Sequence, residues 1–313
     1  MSRDSSDTDR FLRVPPDRGA VGTEQRNTQT MDLHRLSVED CVARIQAADH
    51  DVLTAVEQAR PAIARFIEAA EPGFRDGGRL VYFGAGTSGR LAVLDASEAP
   101  PTFQVPRWRV VGIIAGGDNS LRKSSESKED DPKGAIEELL KLGLGPKDAV
   151  IGIAAGGTTP YVRGGLAWCA ARSEPPLTAL LSCSQCQKPP GVGHLLCVDT
   201  GPEVLTGSTR MKAGTATKLV LNTISTTLMI RSGRVYQNLM VDLKASNDKL
   251  RDRAARIVAS ITGLDRSASF ALLDRAGGRV KCAVVMHHLG CGRTEAELAL
   301  ADCDDRLDLA LGQ

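Results

Sequence analysis

Residues 84–98 read GAGTSGRLAVLDASE, and this stretch decides the fold. The apolar run RLVYFG (79–84) leads directly into the glycines, and a segment of helical character follows them. A short apolar run that ends in glycine and continues as a helix is typical of a buried parallel strand. Gly84, Gly86 and Gly89 are therefore expected in the turn at the carboxyl end of the first strand.

Four further runs have the same character, being rich in valine, isoleucine or leucine and ending in glycine or polar residues. They are RVVGIIAGG (109–117), AVIGIAAGG (149–157), LTALLSC (177–183) and HLLCVDT (194–200). Their alternation with helical or loop segments predicts an α/β fold with a doubly wound, mostly parallel sheet of five strands. Ligands bind such sheets at the carboxyl ends of the strands.

The segments around the sheet differ in pattern. Residues 1–22 are polar and aperiodic, which predicts a disordered tail. Residues 23–65 form an N-terminal helical region of two or three helices, because Pro61 must begin or kink a helix. Residues 66–233 contain the sheet and a long buried helix that ends at Gly233. Residues 234–313 show the spacing of three or four amphipathic helices and are predicted to form a small helical C-terminal module.

Composition restricts the classes of function. A formal net charge of +1 and an aromatic content of 4% argue against nucleic acid or a membrane surface as a partner. No apolar run is long enough to span a membrane and the N-terminus is polar, which predicts a cytoplasmic protein. The eight cysteines are expected to be reduced thiols. Cys183, Cys186, His194 and Cys197 fit no common zinc module, so no metal site is predicted.

The glycine pattern G-x-G-x-x-G allows two interpretations. A dinucleotide site also needs an acidic residue at the end of the second strand, about 20 residues further on. Asp118 is the nearest candidate, roughly 30 residues after Gly89, which is too far for a compact unit. Thr87 and Ser88 instead place two hydroxyls beside backbone amides at a helix N-terminus, an arrangement suited to a phosphate monoester.

Two groups of carboxylates follow neighbouring predicted strands. Glu98 precedes Pro100 and Pro101, so we expect it at the end of a short helix close to the phosphate loop. A second group follows the next strand and consists of Glu126, Glu129, Asp130 and Asp131. Two such carboxyls could divide general acid and general base functions. A solvated acidic loop remains the alternative interpretation of the second group.

Longer strings carry a family resemblance. They are VYFGAGTSGRLAVLDASEAPPTF (81–103), GIIAGGDNSLRKSSESKEDDP (112–132), GPEVLTGSTRMKAGTATKLVLNTIST (201–226) and NLMVDLKASNDKLRDRAARIV (238–258). Together they resemble the N-acetylmuramic acid 6-phosphate etherases, and the likeness extends from TEQRN at Thr23 almost to the C-terminus. The resemblance implies that residues 66–233 form a sugar isomerase (SIS) domain that binds a phosphosugar.

The resemblance also implies an activity. The family members are carbon–oxygen lyases that cleave the D-lactyl ether of N-acetylmuramic acid 6-phosphate in peptidoglycan recycling, without a metal or an organic cofactor. The products are N-acetylglucosamine 6-phosphate and D-lactate, formed by elimination and hydration. Glu98 would be the general acid that protonates the departing lactate, and Glu129 the base that removes the proton at C2. A homodimer that shares its pocket is implied as well.

The binding residues are expected in the loops. We assign this role to Gly86, Thr87, Ser88, Thr158, Thr159, Glu203, Ser208 and Lys212, with Ser208 and Thr209 as caps of the helix that follows. The family usually has serine and arginine at the positions of Gly156 and Thr158, so this loop is a departure. The alternative function is a non-catalytic sugar-phosphate-binding regulator, similar to the glucokinase regulatory protein. That relative lacks an acid at the position of Glu98.

Overall fold

A computed structural model describes residues 17–123, 128–243 and 247–313. Five parallel strands form the central sheet in the order β2-β1-β3-β4-β5. Their bounds are Leu80–Gly84 (β1), Val110–Ile114 (β2), Ala149–Ile153 (β3), Leu177–Ser182 (β4) and His194–Cys197 (β5). Each strand coincides with one of the apolar runs, and the predicted fold class is confirmed.

Helices cover both faces of the sheet. Their bounds are Val38–Arg75 (α1), Gly86–Phe103 (α2), Asn119–Arg122 (α3), Ile136–Lys141 (α4), Pro160–Ala170 (α5) and Lys212–Arg231 (α6). One hydrophobic cluster joins α1, α2 and α6 to one face of the sheet, and a second joins α4 and α5 to the other face. The chain therefore changes face between the helix after β1 and the helix after β3.

Helix α1 is a single helix of 38 residues, with Pro61 and Pro72 inside it. The prediction of two or three helices is therefore wrong, and the boundary expected at 65/66 falls within α1. Proline removes one backbone hydrogen bond. Here the apolar residues Ile63, Phe66 and Phe74, buried on the face toward the sheet, offset that loss by packing.

Helix α2 packs directly on the sheet through two glycines. A Cβ atom at Gly89 would lie 2.5 Å from the carbonyl oxygen of Gly84, and one at Gly112 would lie 2.5 Å from the carbonyl oxygen of Ala92. Real Cβ atoms do not approach oxygen so closely, so larger residues would push α2 away from β1 and β2. The turn at Gly86 is positioned by this contact.

The C-terminal residues have a hydrophobic cluster of their own, formed by buried side chains between Tyr236 and Leu311. A short antiparallel hairpin, Val235–Tyr236 (β6) and Leu239–Met240 (β7), precedes the helices and was not expected. The helices are Asp248–Thr262 (α7), Arg266–Arg275 (α8), Val280–Leu289 (α9), Arg293–Asp302 (α10) and Leu307–Ala310 (α11). Within the described ranges, no helix has the length and hydropathy to cross a membrane.

Residues 17–37 lie across the carboxyl ends of β4 and β5, and we call this segment the N-terminal strap. The backbone amide of Thr23 donates to Ser184 Oγ over 3.1 Å, and its carbonyl accepts from the Gly207 amide over 3.1 Å. Thr30 Oγ1 donates to the carbonyl of Val204 over 2.8 Å. Residues 1–16 of the predicted tail lie outside the described residues, whereas the turn before Gly22–Glu24 is part of the strap.

Candidate active site

The sheet topology places a crevice between the carboxyl ends of β1 and β3. These strands are neighbours, and the helices that follow them, α2 and α5, cover opposite faces. A crevice opens where two such connections diverge, and this is where open α/β sheets bind ligands. The loops at residues 84–88 and 154–159 form its two sides.

The first loop presents the start of α2. Gly86 has a φ of 54°, and a Cβ atom there would meet no other atom within 4 Å. Thr87 and Ser88 are half-buried in the first turn, and Ala85 precedes the helix without a capping side chain. A helix start without a side-chain cap offers backbone amides and a positive dipole end to an anion.

The second loop presents the start of α5. Thr158 is exposed and Thr159 is half-buried, and the helix begins with Pro160 without a side-chain cap. The carbonyl oxygen of Glu129 accepts a hydrogen bond from the Tyr161 amide over 3.0 Å. The structure therefore brings Glu129 to the same loop as Thr158 and Thr159. Glu126 lies outside the described residues, and the carbonyl of Asp131 closes a turn with the Gly134 amide.

Two arginines that sequence reasoning missed lie next to these loops. Arg163 donates to the carbonyl oxygen of Gly157 over 3.1 Å, and Arg90 donates to the carbonyl oxygens of Ser120 and Leu121 over 2.8 and 3.1 Å. Each arginine thereby fixes a loop at the carboxyl end of a strand. Arg163 follows the motif AGGTTP by only three residues, so its proximity in the chain was the available signal.

The start of α6, together with the turn before it, contacts the first loop. A Cβ atom at Gly214 would lie 3.4 Å from both Thr87 Cγ2 and the carbonyl oxygen of Thr209. The turn that contains Ser208 and Thr209 is therefore adjacent to Thr87. The predicted capping by these hydroxyls is wrong, because α6 begins at Lys212 and Met211 provides no side-chain cap.

Glu203 caps α6 instead. Its two carboxylate oxygens accept hydrogen bonds from the amides of Lys212 and Ala213 over 2.9 and 3.0 Å. The residue is fully buried, and burial raises the pKa of its carboxyl although the two amides act in the opposite direction. In this structure both carboxylate oxygens of Glu203 are therefore bonded to the start of α6, and the residue holds that helix in place.

Lys212 also has a different partner from the one expected. Its side chain is 2% exposed, and Nζ lies 2.9 Å from Asp51 Oδ2 of α1 and 3.3 Å from the carbonyl oxygen of Pro202. The ammonium group therefore ties α6 to α1. A lysine with two partners in such a buried position holds the helices together rather than offering a free charge to phosphate.

Glu98 lies away from the crevice. Helix α2 does not end before the two prolines but continues through Pro100 and Pro101 to Phe103, whose side chain is buried. Glu98 is exposed and lies twelve residues after the helix start, which is about 18 Å along the axis. The expectation that Glu98 lies close to the phosphate loop of its own chain is therefore wrong.

The N-terminal strap also lies beside the site, which the sequence did not predict. A Cβ atom at Gly156 would lie 3.0 Å from Val21 Cγ1, 3.6 Å from Thr23 Oγ1 and 3.7 Å from Thr158 Oγ1. The strap thus contacts the β3–α5 loop at the position where the family usually has a serine. The only signal in the sequence was that the family resemblance begins at Thr23.

Comparison with known proteins agrees with this architecture. A family model described as the glucokinase regulatory protein N-terminal SIS domain matches residues 62–170. Fold and crevice therefore define a SIS-domain protein. A relative from Gloeobacter violaceus, named N-acetylmuramic acid 6-phosphate etherase, is 48% identical over 95% of this chain and 96% of its own.

Two further relatives carry the same name. The one from Caldanaerobacter subterraneus is 49% identical over 84% of this chain and 86% of its own, and the one from Rhizobium rhizogenes is 47% identical over 92% and 94%. This chain belongs to the N-acetylmuramic acid 6-phosphate etherase family. The resemblance drawn from the sequence motifs is confirmed.

Proposed function

We propose that this protein is a carbon–oxygen lyase that converts N-acetylmuramic acid 6-phosphate to N-acetylglucosamine 6-phosphate and D-lactate. Identity of 47–49% with relatives of that name over most of the chain carries the proposal. A phosphorylated sugar does not cross membranes freely, which favours a cytoplasmic reaction. The helix start at Gly86–Ser88, with the hydroxyls of Thr87 and Ser88, supports phosphate binding at the crevice.

Glu129 is proposed as the base. It lies at the β3–α5 loop, on the other side of the crevice from the phosphate loop, where the open-chain sugar would extend. Removal of the C2 proton, which is acidic beside the aldehyde, forms the C2–C3 double bond as the C3–oxygen bond breaks. Addition of water to C3 then completes the hydration. Thr158 and Thr159 are proposed to hold the sugar hydroxyls.

Glu98 is proposed as the acid that protonates the departing lactyl oxygen, in the active site of a second copy. Its distance from the loop of its own chain, about 18 Å along α2, favours this assignment over action within one chain. An apolar groove of about 720 Å³ between α1 and α6 supports a homodimer, since it includes Leu53, Val56, Ile63 and Ile67 and Leu53 is 62% exposed. Glu203 and Lys212 contribute indirectly, by holding α6 beside Thr87.

The first experiment measures D-lactate release from N-acetylmuramic acid 6-phosphate by the protein and by Glu98→Gln and Glu129→Gln. Each variant should lose activity by about 10²-fold or more at unchanged Tm. The exposed Glu137→Gln serves as control, since its carboxylate pairs only with Lys141 on the same helix among the described contacts. Lactate release that persists in either variant would contradict that residue's role.

Mixing the two inactive variants tests the shared site. In a heterodimer of Glu98→Gln with Glu129→Gln, one of the two sites contains both native carboxyls. Random exchange should therefore restore about a quarter of the native activity, whereas no recovery would exclude a Glu98 that acts across the dimer. If the native protein releases no lactate but the phosphosugar raises its Tm, the protein either binds phosphosugars without catalysis, as a regulator of the glucokinase regulatory protein type would, or acts on a different substrate.

A further inference from the structure

The N-terminal strap connects two of the segments that surround the crevice. Val21 and Thr23 lie against the β3–α5 loop, since a Cβ atom at Gly156 would be 3.0 Å from Val21 Cγ1 and 3.6 Å from Thr23 Oγ1. The carbonyl oxygen of Thr23 accepts from the Gly207 amide over 3.1 Å. The strap therefore extends from the β3–α5 loop to the turn before α6.

The backbone of the strap is fixed on both sides of Glu24. Thr23 is 0% exposed, and its amide donates to Ser184 Oγ over 3.1 Å. The amide of Glu24 itself donates to the carbonyl oxygen of Val21 over 2.9 Å. The side chain of Glu24 thus projects from an ordered backbone, so a contact between it and a ligand requires little further ordering of the chain.

The carboxyl group of Glu24 lies on the turn at Gly207. A Cβ atom at Gly207 would be 3.0 Å from Glu24 Oε2 and 4.0 Å from Oε1, and the φ of Gly207 is 73°. The Thr209 amide donates to the carbonyl oxygen of Gly207 over 3.0 Å, and Thr209 is adjacent to Thr87 of the phosphate loop. The Cα atoms of Gly207 and Thr209 are at most about 7.6 Å apart, which is comparable to the length of a hexose 6-phosphate.

This carboxylate has unused capacity to accept hydrogen bonds. Glu24 is exposed and makes no hydrogen bond or ion pair with the residues that the structure describes. An ionised carboxylate only accepts hydrogen bonds, and those it accepts are about twice as strong as bonds between neutral groups. The hydroxyl groups and the acetamido N–H of an amino sugar are suitable donors. The negative charge of Glu24 repels phosphate, so its position suits the sugar and not the phosphate group.

We propose that Glu24 binds the amino sugar of the substrate by accepting hydrogen bonds from its hydroxyl or acetamido groups. The phosphate would lie at the start of α2, and the sugar would extend along the turn at Gly207 toward the strap. The inference rests on the proposed function, because it adds a sugar-binding residue to the site described there.

The test compares two probes by calorimetry, N-acetylglucosamine 6-phosphate and inorganic phosphate. Glu24→Ala should bind the phosphosugar at least about tenfold more weakly than the native protein, because it loses hydrogen bonds to a charged group. Its affinity for inorganic phosphate should stay within about twofold of the native value. Glu174→Ala is the matched control, since Glu174 is also exposed and without a partner among the described residues, but lies before β4 at the opposite edge of the sheet.

Two results would overturn the inference. One is a Glu24→Ala protein that binds N-acetylglucosamine 6-phosphate as tightly as the native protein does. The other is an equal loss of affinity for both probes, which indicates a displaced strap and not a lost sugar contact. If Glu24→Ala does not fold, Glu24→Gln replaces it, since glutamine keeps the size of the side chain and one acceptor oxygen. Glu24→Gln should bind the phosphosugar several-fold more weakly, and unchanged binding there would also overturn the inference.

Lactate release separates this inference from the proposed function. With N-acetylmuramic acid 6-phosphate, Glu24→Ala should raise KM more than it lowers kcat, because a sugar contact forms in the ground state as well as in the transition state. If the native protein releases no lactate, the proposed function fails, and the calorimetry still decides the inference. If lactate is released but Glu24→Ala binds the phosphosugar normally, only the inference fails. A native protein that binds no N-acetylglucosamine 6-phosphate would contradict both.

Discussion

A double-mutant cycle tests the contact between the N-terminal strap and the β3–α5 loop. Gly156 is replaced by serine or alanine, and each of these variants is made with either threonine or valine at position 23. Thr23 is 0% exposed, and its hydroxyl has no hydrogen-bond partner in the described parts of the chain. A Cβ atom at residue 156 would lie 3.6 Å from Thr23 Oγ1. A serine hydroxyl extends one bond beyond Cβ and can reach Thr23 Oγ1 at the usual distance of about 2.8 Å.

The magnitude follows from what serine and alanine share. Both bring a Cβ atom to 3.0 Å from Val21 Cγ1, and both restrict the unfolded chain relative to glycine. These effects cancel in the comparison and leave the hydroxyl pair, which is worth about 1 kcal/mol. Gly156→Ser should therefore be more stable than Gly156→Ala by about that amount when residue 23 is threonine.

With valine at position 23, the hydroxyl of Gly156→Ser loses its partner on residue 23. The greater stability of Gly156→Ser over Gly156→Ala should then vanish or reverse. Thr23→Val alone should raise the free energy of unfolding by about 1 kcal/mol, because it removes an unsatisfied hydroxyl. Urea unfolding, followed by circular dichroism with a common m-value, measures all four combinations. A coupling free energy below about 0.5 kcal/mol would refute the reasoning, since the effects of mutations at independent sites add only to within about that amount.

Four further variants test how the site and the sheet beneath it are held. Glu203→Gln should lower the free energy of unfolding by about 2 kcal/mol, measured in urea, because one of the two oxygens that accept from backbone N–H groups of α6 becomes an NH2 group, which cannot accept. Gly89→Ala should be less stable and should bind the phosphosugar more weakly in calorimetry, since its Cβ atom would lie 2.5 Å from the Gly84 carbonyl oxygen. Gly86→Ala should lower the free energy of unfolding by only about 1 kcal/mol. Asp148→Asn should cost about 3 kcal/mol at pH 7 by breaking the buried pair with Arg79.

The Asp148 variant also has a defined pH dependence. Burial opposes ionisation of Asp148, but hydrogen bonds from Arg79 and from the Gly145 amide hold its pKa below the ordinary value of 3.8. The native protein therefore has this stabilisation in full above about pH 3.8 and loses it as the pH falls through the lower folded-state pKa. Unfolding measured from pH 6 to pH 2 should show a shallower acid dependence in Asp148→Asn. Equal acid dependence in both proteins would contradict the assignment.

The strands were predictable because their signals are local. Each consists of a few consecutive apolar residues that end in glycine or polar residues, and every one of the five predicted runs contains a strand. The helices were predicted less well. Pro61 indicated the start or a kink of a helix, and Pro100 and Pro101 indicated a helix end, yet α1 and α2 continue through them. The packing of Phe66 and Phe103 in the core stabilises these helices, and a local rule does not include such contacts.

The candidate site shows the same contrast between features with local sequence signals and features that depend on packing. The sequence by itself determined the fold class, the turn at Gly86–Ser88 before the helix, and the family, because these depend on residues that are consecutive in the chain. Only the tertiary structure decided that Glu203 caps α6, that Lys212 faces Asp51, and that Glu98 lies far along α2 from its own loop. These outcomes depend on which side of a helix a residue faces and on partners up to 161 positions away, and packing, not local sequence, selects them.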